Sequence, residues 1–444
     1  MPETKSSYLR SAASVGRRLV SGSSRLLGRR PPTGSQTPVG GSDTMRSTRA
    51  GAETIGHRPF NLADLTPADA PLPTIGAVDA VEALGGQLII SGWLLAGDLA
   101  EIDELVASPA GDLLPEADVR IGLPSPEIPS HLGAAPDSSA ASARYRVQLP
   151  LSGAVADRPH GHVVTLLPYS GGRALRPVVV AHDTAIPMPT EALALRIGGG
   201  FLDVALEFMG YFQQLARLSP SDKVLEIGCG LGRMAYPLAY YLDDSGSYQG
   251  FDIDAELIGW AKDTIGAARG NFHFEHADVH NPHYNPAGLL TPESFRFPAP
   301  SEAIDVTLAV SLFTHLPAPV ARHYLNETAR VLRDGGTAFL TAFLVDDAAS
   351  KGMAEGRAIL HLGERAAGGW VADAANPEFA IGFPAADFLG WMAEAGLEVT
   401  AVYPGNWSGR APFLSFQDIV VARRIRRQVP GSASGSDGAT TSHR

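Results

Sequence analysis

The sequence predicts an α/β protein. Its C-terminal half reads as a doubly wound, mostly parallel sheet with an antiparallel last strand, and a small β-sandwich precedes it. Three observations predict this. Beyond Gly200, short β-type runs alternate with helical patterns, the order that yields a parallel sheet covered by helices on both faces. Between about Gly76 and His182 the β-type runs follow one another without helices between them, the texture of a sandwich. A glycine-rich turn, "VLEIGCGLG", leads from the first strand of the alternating region towards a helix, where doubly wound sheets hold their ligands.

The chain of 444 residues has room for two or three domains with buried cores. Residues 1–72 are rich in Ser, Gly, Pro and Arg and read as a disordered basic tail. Within it Tyr8, Ala12, Val15, Leu19 and Val20 recur at helical spacing beside arginines, the pattern of a weak basic amphipathic helix on an anionic membrane surface. Interrupting glycines and serines favour a solvated tail instead. No apolar block marks a secretion signal and no run is long enough to span a bilayer. The expected location is therefore cytoplasmic, at most peripheral to the inner face of the membrane.

Residues 73–182 form the expected sandwich, with strands in "GQLIISGWLLAG", "EIDELVASPAG", "ARYRVQLPL" and "GHVVTLLPYSGG". Trp93 reads as core there, with stacking on a sugar ring as the alternative. Residues 183–425 hold the alternating domain, and 426–444 a second flexible tail. "HDTAIPMPTEALALRIGGG" is a linker with a leading helix. Strands follow in "KVLEIG", "SYQGFDID", "FHFEHADV", "AIDVTLAVSL" and "GTAFLTAFLV". Between them lie helices "RMAYPLAYYL", "AELIGWAKDTIGAA" and "PVARHYLNETARVL", the last with Val320, Tyr324, Thr328, Val331 and Leu332 on one face. After the helix "FPAADFLGWMAEAG", the strands "EVTAVYP" and "FQDIVVARR" have no helix between them and should pair as an antiparallel hairpin.

The net charge is −12 despite the basic tail, which argues against nucleic acid as a partner, since phosphate binding needs a positive face. Cys229 is the single cysteine, so no intrachain disulfide forms, in keeping with a reducing compartment. No base is visible beside it. Packing beneath the turn is favoured over a role as nucleophile.

Gly228, Gly230 and Gly232 let a ligand approach the backbone, with amides at the following helix facing it. A dinucleotide site would want a third glycine where Arg233 stands and an apolar residue where Glu226 stands. An acid beside a pyrophosphate repels it, whereas the same acid suits a cationic, hydrogen-bond-donating ligand. S-adenosylmethionine has an ammonium, a sulfonium and a ribose diol, and no phosphate. Asp252 ends the next strand, where a carboxylate can accept from both ribose hydroxyls. Asp278 ends the third and can accept from an adenine amino group.

The run "VLEIGCGLGRMAYPLAYYL…YQGFDID…NFHFEHADVHNPHYNPAG…FRFP…SLFTHLP…RVLRDGGTAFLTAFL" resembles the class I S-adenosylmethionine-dependent methyltransferases. Within them it resembles a bacterial branch with "GFDI", "YNP" and "FTH" signatures. The resemblance covers roughly Ala192 to Arg424 and implies a Rossmann-like sheet and that cofactor. It implies that Glu226, Gly228, Cys229, Gly230 and Gly232 cradle the methionine part, and that Asp252 takes the ribose. Ile253 would pack on the adenine, Asp278 and Val279 meet its edge, and Ser311 lie close to the methyl donor. "GQLIISGWLLAG…ADVR…YRVQLP" resembles a small β-domain found beside glycosyltransferases and methyltransferases of bacterial cell-surface polysaccharide clusters, which implies a saccharide acceptor.

Methyl transfer is an in-line displacement in which the protein aligns the reactants and excludes water. A hydroxyl acceptor also needs a base. His315 in "SLFTHLP" is the candidate, with loop positioning or helix capping as the alternative. Tyr284 and Asn285 lie in "HNPHYNPAGLLTPESFRFPAP", a long Pro-rich connection of the kind that forms acceptor pockets. His280 and His283 beside Asp278 match no metal template, so no metal is expected. Trp407, Arg410, Gln417 and Asp418 in "PGNWSGRAPFLSFQD" stand on a loop that can reach the acceptor, with Trp407 stacking on a sugar or packing. The expected function is O-methylation of a saccharide or other small molecule in cell-surface glycan metabolism. A non-catalytic scaffold and an NAD(P)-dependent oxidoreductase are the alternatives; binding assays separate them.

Overall fold

The computed structural model describes residues 62–109, 117–151, 161–282 and 284–426. The expectations for the N-terminal tail up to residue 61, including its amphipathic pattern, and for the tail from 427 onward lie outside the described residues.

Alternating apolar residues build the N-terminal unit. Its strands are β1 (Thr74–Leu84), β2 (Gln87–Ala96), β3 (Glu104–Pro109), β4 (Asp118–Leu123), β5 (Arg144–Pro150), β6 (His162–Ser170), β7 (Arg173–Ala174) and β8 (Val178–His182), with a short helix α1 (Ile128–Leu132). They form two antiparallel sheets, β1-β2-β5-β4 and β3-β6-β7, with β8 also paired to β6. Gly85 and Gly86, both left-handed, close the tight β1–β2 hairpin, as a two-residue turn requires. Leu88, Ile90, Val147, Leu149 and Leu166 form the shared core. Trp93 packs with Ile75, Leu99 and Leu132 at one end.

The alternating region gives α2 (Glu191–Arg196), α3 (Phe201–Gln214), β9 (Lys223–Ile227), α4 (Ala235–Tyr241), β10 (Ser247–Asp252), α5 (Ala255–Ala261), β11 (Phe272–His276), β12 (Ile304–Ala309), α6 (Ala318–Val331) and β13 (Leu332–Ala342). Next come β14 (Leu344–Val345), α7 (Asp347–Ala354), β15 (Glu364–Ala366), β16 (Gly369–Val371), β17 (Ile381–Pro384), α8 (Ala385–Ala395), β18 (Leu397–Tyr403) and β19 (Asp418–Arg424). The main sheet runs β11-β10-β9-β12-β13-β19-β18. Strands β9 to β13 are parallel, and β19 is antiparallel to both neighbours, as expected of a Rossmann-like sheet closed by a hairpin. One face buries α3, α4 and α5 through Phe208, Phe212, Leu238 and Ile258; the other buries α6 and α8 through Tyr324, Leu325, Phe388 and Met392. The order reverses at β9, flanked by β10 and β12, so the topological switch lies at the carboxyl end of β9.

Three expectations need correction. The tail does not run to residue 72: Leu62 is fully buried in the main core and its N–H donates to Asp346 Oδ2 at 2.9 Å. The leading helix is α2, and a second helix, α3, follows where no element was expected, set off from it by Gly198, Gly199 and Gly200, all left-handed. The stretch between β13 and α8 holds a small sheet, β14-β17-β16-β15, over its own core of Phe343, Leu360, Leu362 and Trp407.

Candidate active site

The turn after β9 is built on glycine for two reasons. Gly228, Gly230 and Gly232 have φ of 74°, 53° and 73°, left-handed values that side chains disfavour. A Cβ on Gly228 would stand 2.9 Å from Leu312 Cδ1, and one on Gly232 3.0 Å from Ile265 Cδ1. The turn is stitched to β10. The Gly228 and Cys229 amides both donate to Phe251 O at 3.0 Å, and Gly230 N donates to Asp252 Oδ2 at 2.8 Å. These three amides therefore do not face a ligand, contrary to expectation. Asp252 Oδ1 accepts from Asp254 N at 2.9 Å. Each carboxylate oxygen has two lone-pair sites, so both can accept once more. Burial raises the Asp252 pKa above the ordinary carboxylate range.

Glu226 lies beneath the turn, 3% exposed, and its Oε2 accepts from Tyr248 Oη at 2.5 Å. Gly250, opposite Glu226 in the β9–β10 register, makes the room: a Cβ there would stand 2.5 Å from Tyr248 Oη. Burial pushes the Glu226 pKa up to about 8, against the Tyr248 bond and the Arg233 charge. Burial also raises the Cys229 thiol well above its usual range, so it is a packed side chain and no nucleophile. Arg233, lowered by burial to about 10, donates to Ile197 O and Gly199 O at 3.2 Å and pins the triple-glycine turn.

The Glu226 shift has a sign that can be measured. The folded state holds the proton up to about pH 8, while an unfolded glutamate releases it near its ordinary value, so stability falls as pH rises through that window. Glu226→Gln keeps an acceptor for Tyr248 without the charge. Its melting temperature relative to wild type is expected to rise between pH 5 and pH 9, by roughly 2–4 °C per kcal/mol gained. A difference that stays constant across that range would contradict the buried, proton-holding carboxyl.

Asp278 and Val279 follow β11. Val279 is buried, and Asp278 Oδ1 accepts from Asn285 Nδ2 at 3.3 Å. The same amide donates to Val279 O at 3.1 Å, so Asn285 braces this corner instead of facing outward. Ile253 is partly buried against the core. The Pro-rich connection is more regular than expected, with bridges Val279–Leu290 and Asn281–Asn285. Tyr284 is 52% exposed, with Asp252 and Glu378 near enough to help raise its pKa, although burial is the larger cause. His283 lies outside the described residues, and among the described residues no group of three His, Cys, Asp or Glu could hold a metal.

The opposite wall follows β12. Ser311 sits at φ 60° without being glycine, a strained position of the kind that marks functional sites. Its N–H donates to Thr341 Oγ1 at 2.7 Å, and that hydroxyl donates to Gln417 Oε1 at 2.6 Å. His315 Nδ1 lies 2.8 Å from Glu378 O. A carbonyl accepts only, so Nδ1 carries the proton and Nε2 of the neutral ring keeps its lone pair. Burial lowers the His315 pKa, with the Glu378 and Phe379 backbone and the Glu378 charge opposing. Glu378 is placed by Asn281 Nδ2, 2.9 Å from its Oε2. Nearby Asn376 Oδ1 is buried without a partner among the described residues.

Residues 205–402 match the family model described as a methyltransferase domain. They form a methyltransferase domain. The tRNA N(3)-cytidine methyltransferase METTL2 of Danio rerio is 23% identical over 145 residues, which cover 32% of this chain and 37% of that protein. The match thus spans little more than a third of that relative's length. Similar solved structures include a SAM-dependent methyltransferase of Methanosarcina mazei, at 19% identity and TM-score 0.34, covering 47% of this chain and 95% of that one. A TehB-like SAM-dependent methyltransferase of Corynebacterium glutamicum gives 15% identity and TM-score 0.32, covering 52% and 92%.

Two residues expected to meet the acceptor are placed otherwise in the methyltransferase domain. Trp407 is fully buried against Phe343, and its Nε1 donates to Asp418 Oδ2 at 2.8 Å, so no ring face is offered. Arg410 is paired with buried Asp346. Asp418, with its pKa raised by burial to about 6, also accepts from Gly405 N and Leu344 N. These groups fasten the β14–β17 sheet to the carboxyl edge of the main sheet. From there residues 376–381 reach His315, with Ile381 N donating to Thr314 O at 2.8 Å. Glu378 and Asn376 carried no motif in the sequence, and Tyr248 lay in "YQGFDID" without a role of its own; only the three-dimensional contacts single them out.

Proposed function

We propose that this chain is an S-adenosylmethionine-dependent methyltransferase acting on an oxygen of a saccharide or another small hydroxylated molecule. The glycine turn clasped to Asp252 carries the reading. The residues present fit the cofactor. Asp252, bonded to the Gly230 and Asp254 amides, keeps one acceptor site per oxygen for a ribose diol. Glu226 is a buried carboxyl that a neighbouring cation would ionise. Asp278 and Val279 would border the adenine, with Ile253 beneath it. The cofactor, when bound, supplies an electrophilic methyl carbon.

The chain's own part is alignment and proton removal. His315 Nε2 takes the proton of the acceptor hydroxyl as its oxygen gains the methyl group, and Nδ1–H held by Glu378 O keeps the ring in that tautomer. The orphaned Asn376 Oδ1 would accept from a second acceptor hydroxyl, and exposed Tyr284 would border the same pocket. The N-terminal β-sandwich supports a saccharide as acceptor. An RNA acceptor, which the zebrafish protein's name describes for that protein, is disfavoured by a net charge of −12.

Titration with S-adenosylmethionine and NADH in parallel, then transfer of labelled methyl to fractionated host extract with cell-envelope glycans and their lipid-linked precursors, tests this. Binding of the methyl donor alone and label in a glycan fraction are expected. Donor binding without product in any fraction would leave a scaffold. Tight NADH binding without donor binding would reverse the reading.

A further inference from the structure

The end of the sheet remote from the glycine turn holds a cleft of its own. It lies where β9, β12 and β13 begin and β19 ends, about 15 Å from the turn along the five residues of β9. Its volume is about 280 Å³, below the size usual for drug-sized ligands and suited to a small anion. Arg217, Arg333 and Arg423 line it with Asp222, Asp305 and Thr337.

The charges do not cancel. Asp305 is used twice, by the Arg333 guanidinium and by Lys223 N at 2.8 Å. Asp222 Oδ2 accepts from Ser219 N at 2.7 Å. The Arg217 and Arg423 side chains make no hydrogen bond or ion pair with a described residue, and Arg423 stands opposite Thr337 across the β13–β19 ladder. Three arginines thus line the cleft against two aspartates, and Arg423 has Glu398 opposite it across the β18–β19 ladder, so the lining keeps a net positive charge centred on Arg217.

Arg217 is also an unexpected residue for its backbone. It sits at φ 57° just past α3, where Leu218 N turns back to Phe212 O at 3.0 Å. That left-handed position after a helix is the one glycine or asparagine usually takes, because a Cβ is strained there. The backbone does not ask for arginine at this position; the cleft gives its side chain a use.

We propose that this cleft binds a phosphoryl anion, gripped between the Arg217 and Arg423 guanidiniums with the Thr337 hydroxyl at its floor. Guanidinium forks match phosphate oxygens in geometry and charge. The site is separate from the methyl-transfer edge, so a group bound here does not compete with the cofactor.

Arg217→Gly in the full chain is the decisive variant, because glycine relieves the left-handed backbone while deleting the cation. Inorganic phosphate is expected to raise the melting temperature of wild type saturably above chloride at matched ionic strength. Arg217→Gly should melt no lower than wild type in chloride and bind phosphate about tenfold more weakly or worse, and Arg423→Gln should show the same loss. Titration with glucose 1-phosphate identifies the source: tighter binding than phosphate assigns the site to a phosphorylated metabolite, equal binding to free phosphate. No phosphate shift in wild type, or an equal shift in Arg217→Gly, would overturn the proposal.

Discussion

Replacing His315 by Asn is expected to reduce turnover by roughly 10²–10⁴-fold while leaving the affinity for S-adenosylmethionine unchanged. Asparagine is the informative substitution. Its amide N–H can still donate to Glu378 O, which His315 Nδ1 approaches at 2.8 Å, so the contact that seats residues 376–381 survives. The lone pair of Nε2 does not. A role confined to positioning the loop predicts near-normal turnover for Asn and a large loss for Ala. A role as base predicts equal, large losses for both.

The pH profile gives a second readout. Burial lowers the His315 pKa, so the ring is already neutral below the pH at which an exposed histidine would be. Activity of wild type should therefore hold to lower pH than that of an enzyme using a solvated histidine. The Asn variant's residual rate should lose that limb and rise with hydroxide instead. Normal turnover in His315→Asn would remove the residue from the chemistry, whatever the acceptor is.

The cofactor edge was legible because its signals are local. Glycines spaced two apart after an apolar run, and acids at successive strand ends, need no knowledge of partners to be read. What Glu226 does was not legible. Its carboxyl meets Tyr248 only because β10 lies beside β9 in a register that puts side-chain-free Gly250 opposite it. Trp407 stayed open between stacking and packing for a related reason: an indole on a loop reads as available until Asp418, eleven residues on, is seen to take its N–H. The β15–β17 strands are three or four residues long, too short for periodicity to mark, so the small sheet over the carboxyl edge was invisible. Its contribution of Glu378 to the His315 contact was invisible with it.

Asp252→Ala is expected to weaken S-adenosylmethionine binding by roughly 10²–10⁴-fold, from two charge-assisted hydrogen bonds at about 1.5–3 kcal/mol each. The side chain also holds Gly230 N and Asp254 N, so the variant loosens the turn it serves. Two controls separate the roles. Asp252→Asn keeps one carbonyl acceptor and should fall between wild type and Ala. S-adenosylhomocysteine keeps the ribose but lacks the sulfonium charge. If Asp252 acts on the ribose, both ligands lose affinity by the same factor; if it acts chiefly as a counter-charge, the methyl donor loses more. Arg196, paired with Asp254 and Glu256 at the start of α5, keeps that helix in place, so a cooperative melt should persist in the variant. Unchanged affinity in a folded Asp252→Ala would mean that the ribose is held elsewhere, and that the clasp of the glycine turn to β10 is a matter of folding alone.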